Sequence, residues 1–556
     1  MSGRHRPIDI VLVVSPDLTS VERWLMPECL GIYGIDSFLK SHGVHSKVVD
    51  AYFHRWTPEV VAQRILRLSP QHVALQLMSP WTTELVVATA KSIRAAGFGG
   101  TIGVGGNYAS LDWSYLLKTY PEIDYVAVGE AEYSLLSLIR KGSISESVPG
   151  LAIRGFSDPL LARRAVALDD LPPPSRPYGR LLARIGVPMA LSYSRGCYRR
   201  CEFCTVASFS GIDRAIPPWR SRSAGSVYSE IRDLHSRFGA DQFLFVDDNF
   251  VGPRPEHKED LRVFASLMSE LERDVVFGME THPRDVDLPL FADLKRAGLA
   301  FVAIGFETYS TSQLRNMKKG SSPGIIDDAL AILKELRVPS YLNTILVDDR
   351  STLSDLERTL VFLENNLTDQ TFNLIGHMEA RIGTEMLHRI HGEYNLDERK
   401  RPHYAMHDEK LRSVSRILLS AMGANYSLTQ DLWRLLWLEW RALFKLDALH
   451  EISPSSITRQ LVAEKNRFTI ELVRHVLEKG YGMADGEIPG FIRDIRAQVD
   501  EFRTSFVQKI ELCFMWVSYL CQQSGKSFPQ FKSTRTSIMP NFDADQLWLA
   551  RMQLER

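Results

Sequence analysis

The sequence predicts an α/β protein: an N-terminal doubly wound parallel sheet, a partial (β/α)6 barrel, and a mostly α-helical C-terminal region. Two observations carry this. Short β-branched runs alternate with amphipathic stretches in two successive series, and beyond about residue 385 the runs fade into helical periodicity. A chain of 556 residues also exceeds what one ordinary core organises, so several domains are expected.

In the first series the strands fall at 8–14, 46–49, 73–77, 101–104 and 125–128, with helical patterns such as 29–41 and 84–96 between them. Five strands alternating with helices define a Rossmann-like domain over 1–140, whose ligands are expected at the carboxyl ends of the strands. Gly142, Pro149, Gly150, Pro172, Pro173, Pro174 and Pro177 then interrupt the pattern. Residues 141–188 therefore read as a linker, with a small hairpin around 151–166. The second series has strands at 189–194, 242–246, 275–279, 301–304, 340–347 and 372–376. Six strand–helix repeats fall short of a full eight-unit barrel and fit a partial one over 189–384. In the helical region 385–556, expected to shape the substrate site, Trp433, Trp437, Trp440 and Phe444 share one helical face. They read as an aromatic helix packing on the barrel, with a substrate-facing wall as the alternative.

Hydrophobic content of 45% with 24% charge is that of a soluble globular chain, and a net charge of −1 supplies no global field for nucleic acid or an anionic surface. No run of about eighteen uncharged apolar residues is present, so no spanning helix is expected. The opening MSGRHRPIDIVLVVSPD has the basic start of a signal peptide, but its apolar run extends only from Ile10 to Val14. A first strand accounts for it, and a cytoplasmic protein without nucleic-acid or membrane partners is expected.

Of six cysteines, three fall within eight residues. The stretch 189–211, MALSYSRGCYRRCEFCTVASFSG, places Cys197, Cys201 and Cys204 in a C-x3-C-x2-C spacing directly after a predicted strand. Thiolates ligate iron–sulfur clusters, and three of them can hold three irons of a cubane while leaving the fourth open. A zinc site wants a fourth ligand, usually from a second pair, whereas Cys513 and Cys521 lie three hundred residues away. A disulfide would leave one thiol over.

This spacing, with Phe203 before the last cysteine, resembles the radical S-adenosylmethionine (SAM) superfamily. The resemblance implies a [4Fe–4S] cluster whose open iron chelates SAM, and an electron donor such as flavodoxin or ferredoxin. Cleavage of SAM then yields a 5′-deoxyadenosyl radical that abstracts hydrogen from carbon. Further segments match in order. In FLFVDDNF (243–250) the resemblance puts Asp247, Asp248 and Asn249 at the catalytic rim, although an acidic turn capping the next helix is also possible. In AIGFETYS (303–310) it puts Glu307 against the SAM ribose, where a carboxylate can accept from both hydroxyls. In WRSRSAGS (219–226), Arg220 and Arg222 suit the SAM carboxylate, a solvated helix start being the alternative.

An α/β sheet ahead of such a barrel resembles the cobalamin-binding domain of one large subfamily. The matching loops carry Pro16, then Ser79 and Trp81, then Gly105, Gly106 and Asn107, then Gly129 and Glu130, in order after strands one, three, four and five. Glycines let backbone approach a flat corrin closely. The Asp-x-His-x-x-Gly motif that ligates cobalt in some relatives is missing, since the loop PDLTSVERW (16–24) has no histidine and His54 follows the second strand. Cobalt is thus expected to lack a histidine below it, with Met78 or Trp81 as cover. The resemblance implies a methyltransferase that moves a methyl group from SAM through methylcobalamin to carbon, or to phosphorus, in a small-molecule or peptide-derived substrate. Cyclisation, ring contraction or rearrangement on the same scaffold, and a non-catalytic cobalamin or cluster sensor, are the alternatives.

Overall fold

A computed structural model describes residues 7–16, 28–145, 147–155, 159, 166–184, 187–271, 275–367, 370–375, 378–390, 404–421 and 457–523. The chain divides into two compact units. One comprises Met1–Pro177, Ser194–Arg222 and Ala380–His403; the other comprises Tyr178–Tyr193, Ser223–Glu379 and Tyr404–Arg556. The cysteine loop, which the sequence groups with the barrel, thus packs within the first unit.

The first unit is built on six strands: β1 (Ile10–Val14), β2 (Ser46–Asp50), β3 (His72–Gln76), β4 (Thr101–Gly105), β5 (Tyr125–Ala127) and β6 (Leu151–Ile153). Their order is β2-β1-β3-β4-β5-β6, parallel throughout except for β6, which pairs antiparallel with β5. The expected doubly wound sheet is present, and its alternation is visible residue by residue. Val11 and Val13 enter the core on one face, with Val73, Leu75, Ile102, Val104 and Val126. Ile10, Leu12 and Val14 enter the other, with Phe38, Tyr125 and Leu135. Both faces are buried, as helices on each side of a parallel sheet require.

Of the hairpin expected around 151–166, residues 156–158 and 160–165 lie outside the described residues, and segment 151–153 extends this sheet. It is pinned by Arg154, whose guanidinium donates to the carbonyls of Leu117, Tyr120 and Ile123 around the end of helix Trp113–Thr119.

Strand β7 (Met189–Leu191) opens the sheet of the second unit. The next two strands, β8 (Ser194–Gly196) and β9 (Trp219–Ser221), form an antiparallel ribbon in the first unit. The second sheet continues with β10 (Gln242–Phe245), β11 (Val276–Thr281), β12 (Leu299–Glu307), β13 (Ser340–Ile345) and β14 (Gln370–Ile375). Its six parallel strands run in the order β14-β13-β12-β11-β10-β7, as a six-unit partial barrel demands.

Between sheet and helices Phe245, Phe264 and Phe277 meet edge to face at centroid distances of 5.6–5.9 Å. On the opposite face Leu244, Val276, Phe301, Ala303 and Tyr341 pack together. Helix Ile457–Gly480 packs beside β14, where Asn466 donates to the Leu367 carbonyl at 2.9 Å and Arg474 pairs with Glu357 and Glu364. The aromatic positions Trp433, Trp437, Trp440 and Phe444 lie outside the described residues.

Helix Leu353–Glu364 starts with a reciprocal cap: the Asp355 amide donates to Thr352 Oγ1 and the Thr352 amide to Asp355 Oδ2. Thr352→Ala is expected to cost about 1 kcal/mol, read as a lowered urea midpoint with an unchanged slope.

Candidate active site

Within the first unit, the cysteine loop starts where β8 ends. Gly196 has φ +84°, and a Cβ there would lie 2.2 Å from the Pro218 carbonyl, so this crossing tolerates only glycine. Cys197 follows at once. Cys201 is buried, and Cys197 and Cys204 are half-buried. The Arg199 amide points to Cys197 Sγ at 3.4 Å, and the Cys204 amide closes a turn on the Cys201 carbonyl at 3.1 Å. Phe203 is half-buried in that turn.

The loop has three anchorages. Arg195 pairs with Glu132 at 2.8 Å and Glu130 at 3.3 Å, and Arg220 on β9 pairs with Glu130 and donates to the Val166 carbonyl at 2.7 Å. Glu202 accepts from Arg389 at 2.6 Å while its carbonyl takes the Met386 amide. Helix Thr205–Ser210, which begins after Cys204, packs against helix Asn107–Leu111. Burial would raise the Glu132 carboxyl, but the Arg195 guanidinium against it, with Arg220 beyond, holds it below the usual carboxylate range.

The strand-end loops of the same unit meet where β1 and β3 are neighbours, the switch point of this sheet order. Ser15 donates to the Gln76 carbonyl across the two strands, and Pro16 beside it is buried. Gln76 also donates to Cys29 Sγ at 3.0 Å, and burial pushes this thiol up to about 11, so it stays protonated. Gly106 has φ +121°, and a Cβ there would come within 2.8 Å of the Leu77 carbonyl and 2.7 Å of Met78 Sδ. Ser79 accepts from the Trp81 amide, and the Gly129 amide donates to Ser110. Met78 is 50% and Trp81 38% exposed, large apolar side chains left on this edge. The ring of His54 stacks on Trp56 at 4.4 Å.

In the second unit, polar groups line the carboxyl ends of the barrel strands. Asp247 is buried and accepts from the Tyr193 amide at 3.2 Å. Asn249, also buried, donates to Asp285 and accepts from Thr281 and the His282 amide, which makes it a clip between loops. Asp248 is exposed. Glu307 ends β12 beyond a register shift in its pairing with β13, at φ +62°, a conformation rare for a non-glycine residue. It accepts from Lys319 Nζ at 2.7 Å, both side chains being under a tenth exposed. Lys319 passes over Gly305, where a Cβ would lie 2.5 Å from Nζ.

The same layer contains a residue that the sequence reading missed. Glu280 on β11 accepts from Asn343 at 3.3 Å. Burial pushes its carboxyl up to about 7; Glu307 and Asp248 add to this, while Lys319 and Asn343 oppose it. A charged residue in the otherwise apolar run VFGMET was the available signal. Native Glu280 keeps its proton up to about pH 7, whereas an unfolded glutamate ionises near 4.5. The stability it contributes is therefore complete below 4.5 and declines as pH rises through 7. Glu280→Gln should gain stability relative to the parent on going from about pH 5 to about pH 8. Equal differences in urea midpoint at the two pH values would contradict this.

Two family models match the chain: the B12 binding domain over residues 28–139 and the radical SAM superfamily over residues 191–363. The chain belongs with the cobalamin-dependent radical SAM proteins. The anaerobic magnesium-protoporphyrin IX monomethyl ester cyclase of Cereibacter sphaeroides is 23% identical over 56% of this chain, a match spanning about half (52%) of the cyclase. An uncharacterised methyltransferase of Pyrococcus horikoshii is 24% identical over 64% of this chain and 77% of its own length. The cobalamin-dependent SAM radical enzyme OxsB, solved with aqua-cobalamin and SAM, shares the fold, with TM-score 0.67 and 16% identity over 99% of this chain and 84% of that one.

The two domains of this cobalamin-dependent radical SAM protein imply a [4Fe–4S] cluster, SAM and cobalamin, and its residues fit these groups. Among the described residues, no three His, Cys, Asp or Glu side chains converge on one metal ion. A cubane asks something else of three thiols, one for each of three irons. The exposed apolar side chains of Met78 and Trp81, after β3 at the switch point, fit a flat macrocycle. No helix among the described residues is long and apolar enough to cross a membrane.

Proposed function

We propose that this cobalamin-dependent radical SAM protein is a methyltransferase acting on a carbon centre of a small-molecule or peptide-derived substrate. The observation that carries the reading is that the cysteine loop and the strand-end loops of the B12-binding sheet are parts of one compact unit. That arrangement suits a methyl carrier working beside a cluster. When bound, SAM would supply the methyl group and a radical, and the corrin would carry the methyl.

The chain's own residues hold and orient. Cys197, Cys201 and Cys204 would grip the cluster, with the half-buried Phe203 in the turn between the last two. Pro16, Ser79, Trp81, Gly105, Gly106, Asn107 and Gly129 would bear the corrin, with the apolar side chains of Met78 and Trp81 beside it. Glu307, held by Lys319, is our candidate to accept from the SAM ribose hydroxyls. We assign Arg220, Asp247 and Asn249 to positioning because each is committed to partners within its own unit. A small reducing protein would deliver electrons to the cluster.

The similarity to the cyclase favours a second reading, ring formation without methyl transfer. Anaerobic turnover with methyl-deuterated SAM separates the two. A product heavier by one labelled methyl group, with S-adenosylhomocysteine formed, supports methyl transfer. A cyclised product without label rejects it. Reduced, cluster-loaded protein that forms neither 5′-deoxyadenosine nor S-adenosylhomocysteine would reject both readings.

A further inference from the structure

The cysteine loop is mounted at both ends on the loops assigned to the corrin. On its N-terminal side, Arg195 stands two residues before Cys197 and is gripped by Glu130 and Glu132, which follow β5. Arg220, opposite Arg195 in the ribbon, returns to Glu130. Two guanidinium groups and two carboxylates thus balance in charge. The Glu132 side chain is 6% exposed, so its pairing is shielded from water and salt more than a surface ion pair would be.

On its C-terminal side, the helix beginning after Cys204 lies against the helix that begins at Asn107, immediately after Gly105 and Gly106. Ile212, just beyond, packs into the core on that face of the sheet. The ribbon has little freedom to slide, since Gly196 already sits against the Pro218 carbonyl. A displacement of the β5 loop therefore reaches Cys197 through two ion pairs, and a displacement of the β4 loop reaches Cys204 through helix packing.

We propose that cobalamin binding and cluster assembly are thermodynamically coupled in this chain, with Glu130, Glu132, Arg195 and Arg220 as the positioning residues that transmit the coupling. This rests on the reading that the strand-end loops bear the corrin. A ligand that orders the β5 loop pre-orders the clamp and hence the cysteine loop, so the second cofactor binds a framework already set. Linkage makes the effect reciprocal: whatever factor the cluster contributes to cobalamin affinity, cobalamin returns to the cluster. Neither residue of the Arg195–Glu132 pair is assigned to touch a cofactor. Their substitution should alter the coupling and leave both cofactors able to bind.

The test uses the full chain under anaerobic conditions, titrated with hydroxocobalamin in cluster-free and cluster-reconstituted forms. The wild type is expected to bind hydroxocobalamin about tenfold more tightly when reconstituted, within the ordinary range of coupling. In Glu132→Gln, which keeps size and shape, and in Arg195→Met the ratio should fall to about one while iron content and one-to-one cobalamin binding persist; Arg195→Lys, which keeps the charge opposite Glu132, should retain part of the wild-type ratio. Cobalamin should also shift the electron paramagnetic resonance spectrum of the reduced cluster in the wild type and not in Glu132→Gln. A ratio near one in wild type that binds both cofactors overturns the coupling. An unchanged ratio and spectral shift in Glu132→Gln and Arg195→Met overturns the assignment to this clamp. Failure of wild type to bind cobalamin stoichiometrically defeats the underlying reading, a result distinct from either.

Discussion

Cys201→Ala is expected to abolish the [4Fe–4S] cluster and, with it, reductive cleavage of SAM, leaving 5′-deoxyadenosine at background. Cys201 is the most buried of the three thiols on the loop, and its carbonyl closes the turn that presents Cys204. Alanine removes one iron's only protein ligand while leaving that turn's backbone bond intact, so the loss should be one of cluster and not of fold. Iron and sulfide analysis, the broad absorption of the reconstituted protein, and 5′-deoxyadenosine formation read the three consequences separately. Cys513→Ala supplies the contrast. Cys513 is buried in helix Ile488–Gln523 beside Thr458, and its loss should leave iron content unchanged. A Cys201→Ala protein that retains a full cluster and cleaves SAM at the parental rate would remove the basis of the functional reading.

Lys319→Met is expected to destabilise the barrel unit by about 3–5 kcal/mol, the usual cost of leaving a buried partner charge uncompensated. Glu307 is 8% exposed and Lys319 9%, so water does little to replace the lost ammonium group. The surroundings deepen the effect. Glu280 and Asp248 add carboxyl groups near the pair, and Lys319 opposes the raised Glu280 carboxyl. Converting Glu307 to Gln in the same protein removes the orphaned charge and should recover most of the loss, which a double-mutant cycle in urea measures. If the single Lys319→Met change moved the urea midpoint no more than an ordinary surface substitution, the pair would not be the buried interaction described. On our assignment, Glu307→Gln alone also weakens SAM binding, because an amide oxygen is a poorer acceptor for two hydroxyls than a carboxylate.

The positions of the strands were legible because each is short, apolar and β-branched, and because a parallel sheet buried on both faces shows as near-continuous runs. Observed ends differ by a few residues where pairing decides them. The predicted strand 189–194 stops at Leu191 in the barrel, and Ser194 begins a ribbon elsewhere, a break made by pairing partners and not by composition. Leu151, Ala152 and Ile153, which the sequence assigned to the linker, pair antiparallel with β5 and so join the first sheet.

Site residues divide in the same way. Cys197, Cys201 and Cys204 could be read as a set because eight residues of chain hold all three thiols, so spacing alone limits their geometry. The local motifs put Arg220 near the SAM carboxylate and Asn249 at the catalytic rim; the structure adds what they could not show, an ion pair of Arg220 with Glu130 and hydrogen bonds of Asn249 with Asp285, Thr281 and His282. Nothing local distinguishes an arginine kept for a ligand from one spent on an ion pair.

The sequence by itself determined the order of the two sheets, the close spacing of the thiol trio, and the glycine-bearing strand ends of the first domain. These depend on periodicity and short spacing, which the backbone's own geometry enforces. Only the tertiary structure decided that Lys319 faces Glu307 and Glu280, and that Glu132 clamps Arg195 from sixty-three residues away. Such pairs are set by strand order and register, which bring distant side chains within ångströms, and no local pattern along the chain encodes that meeting.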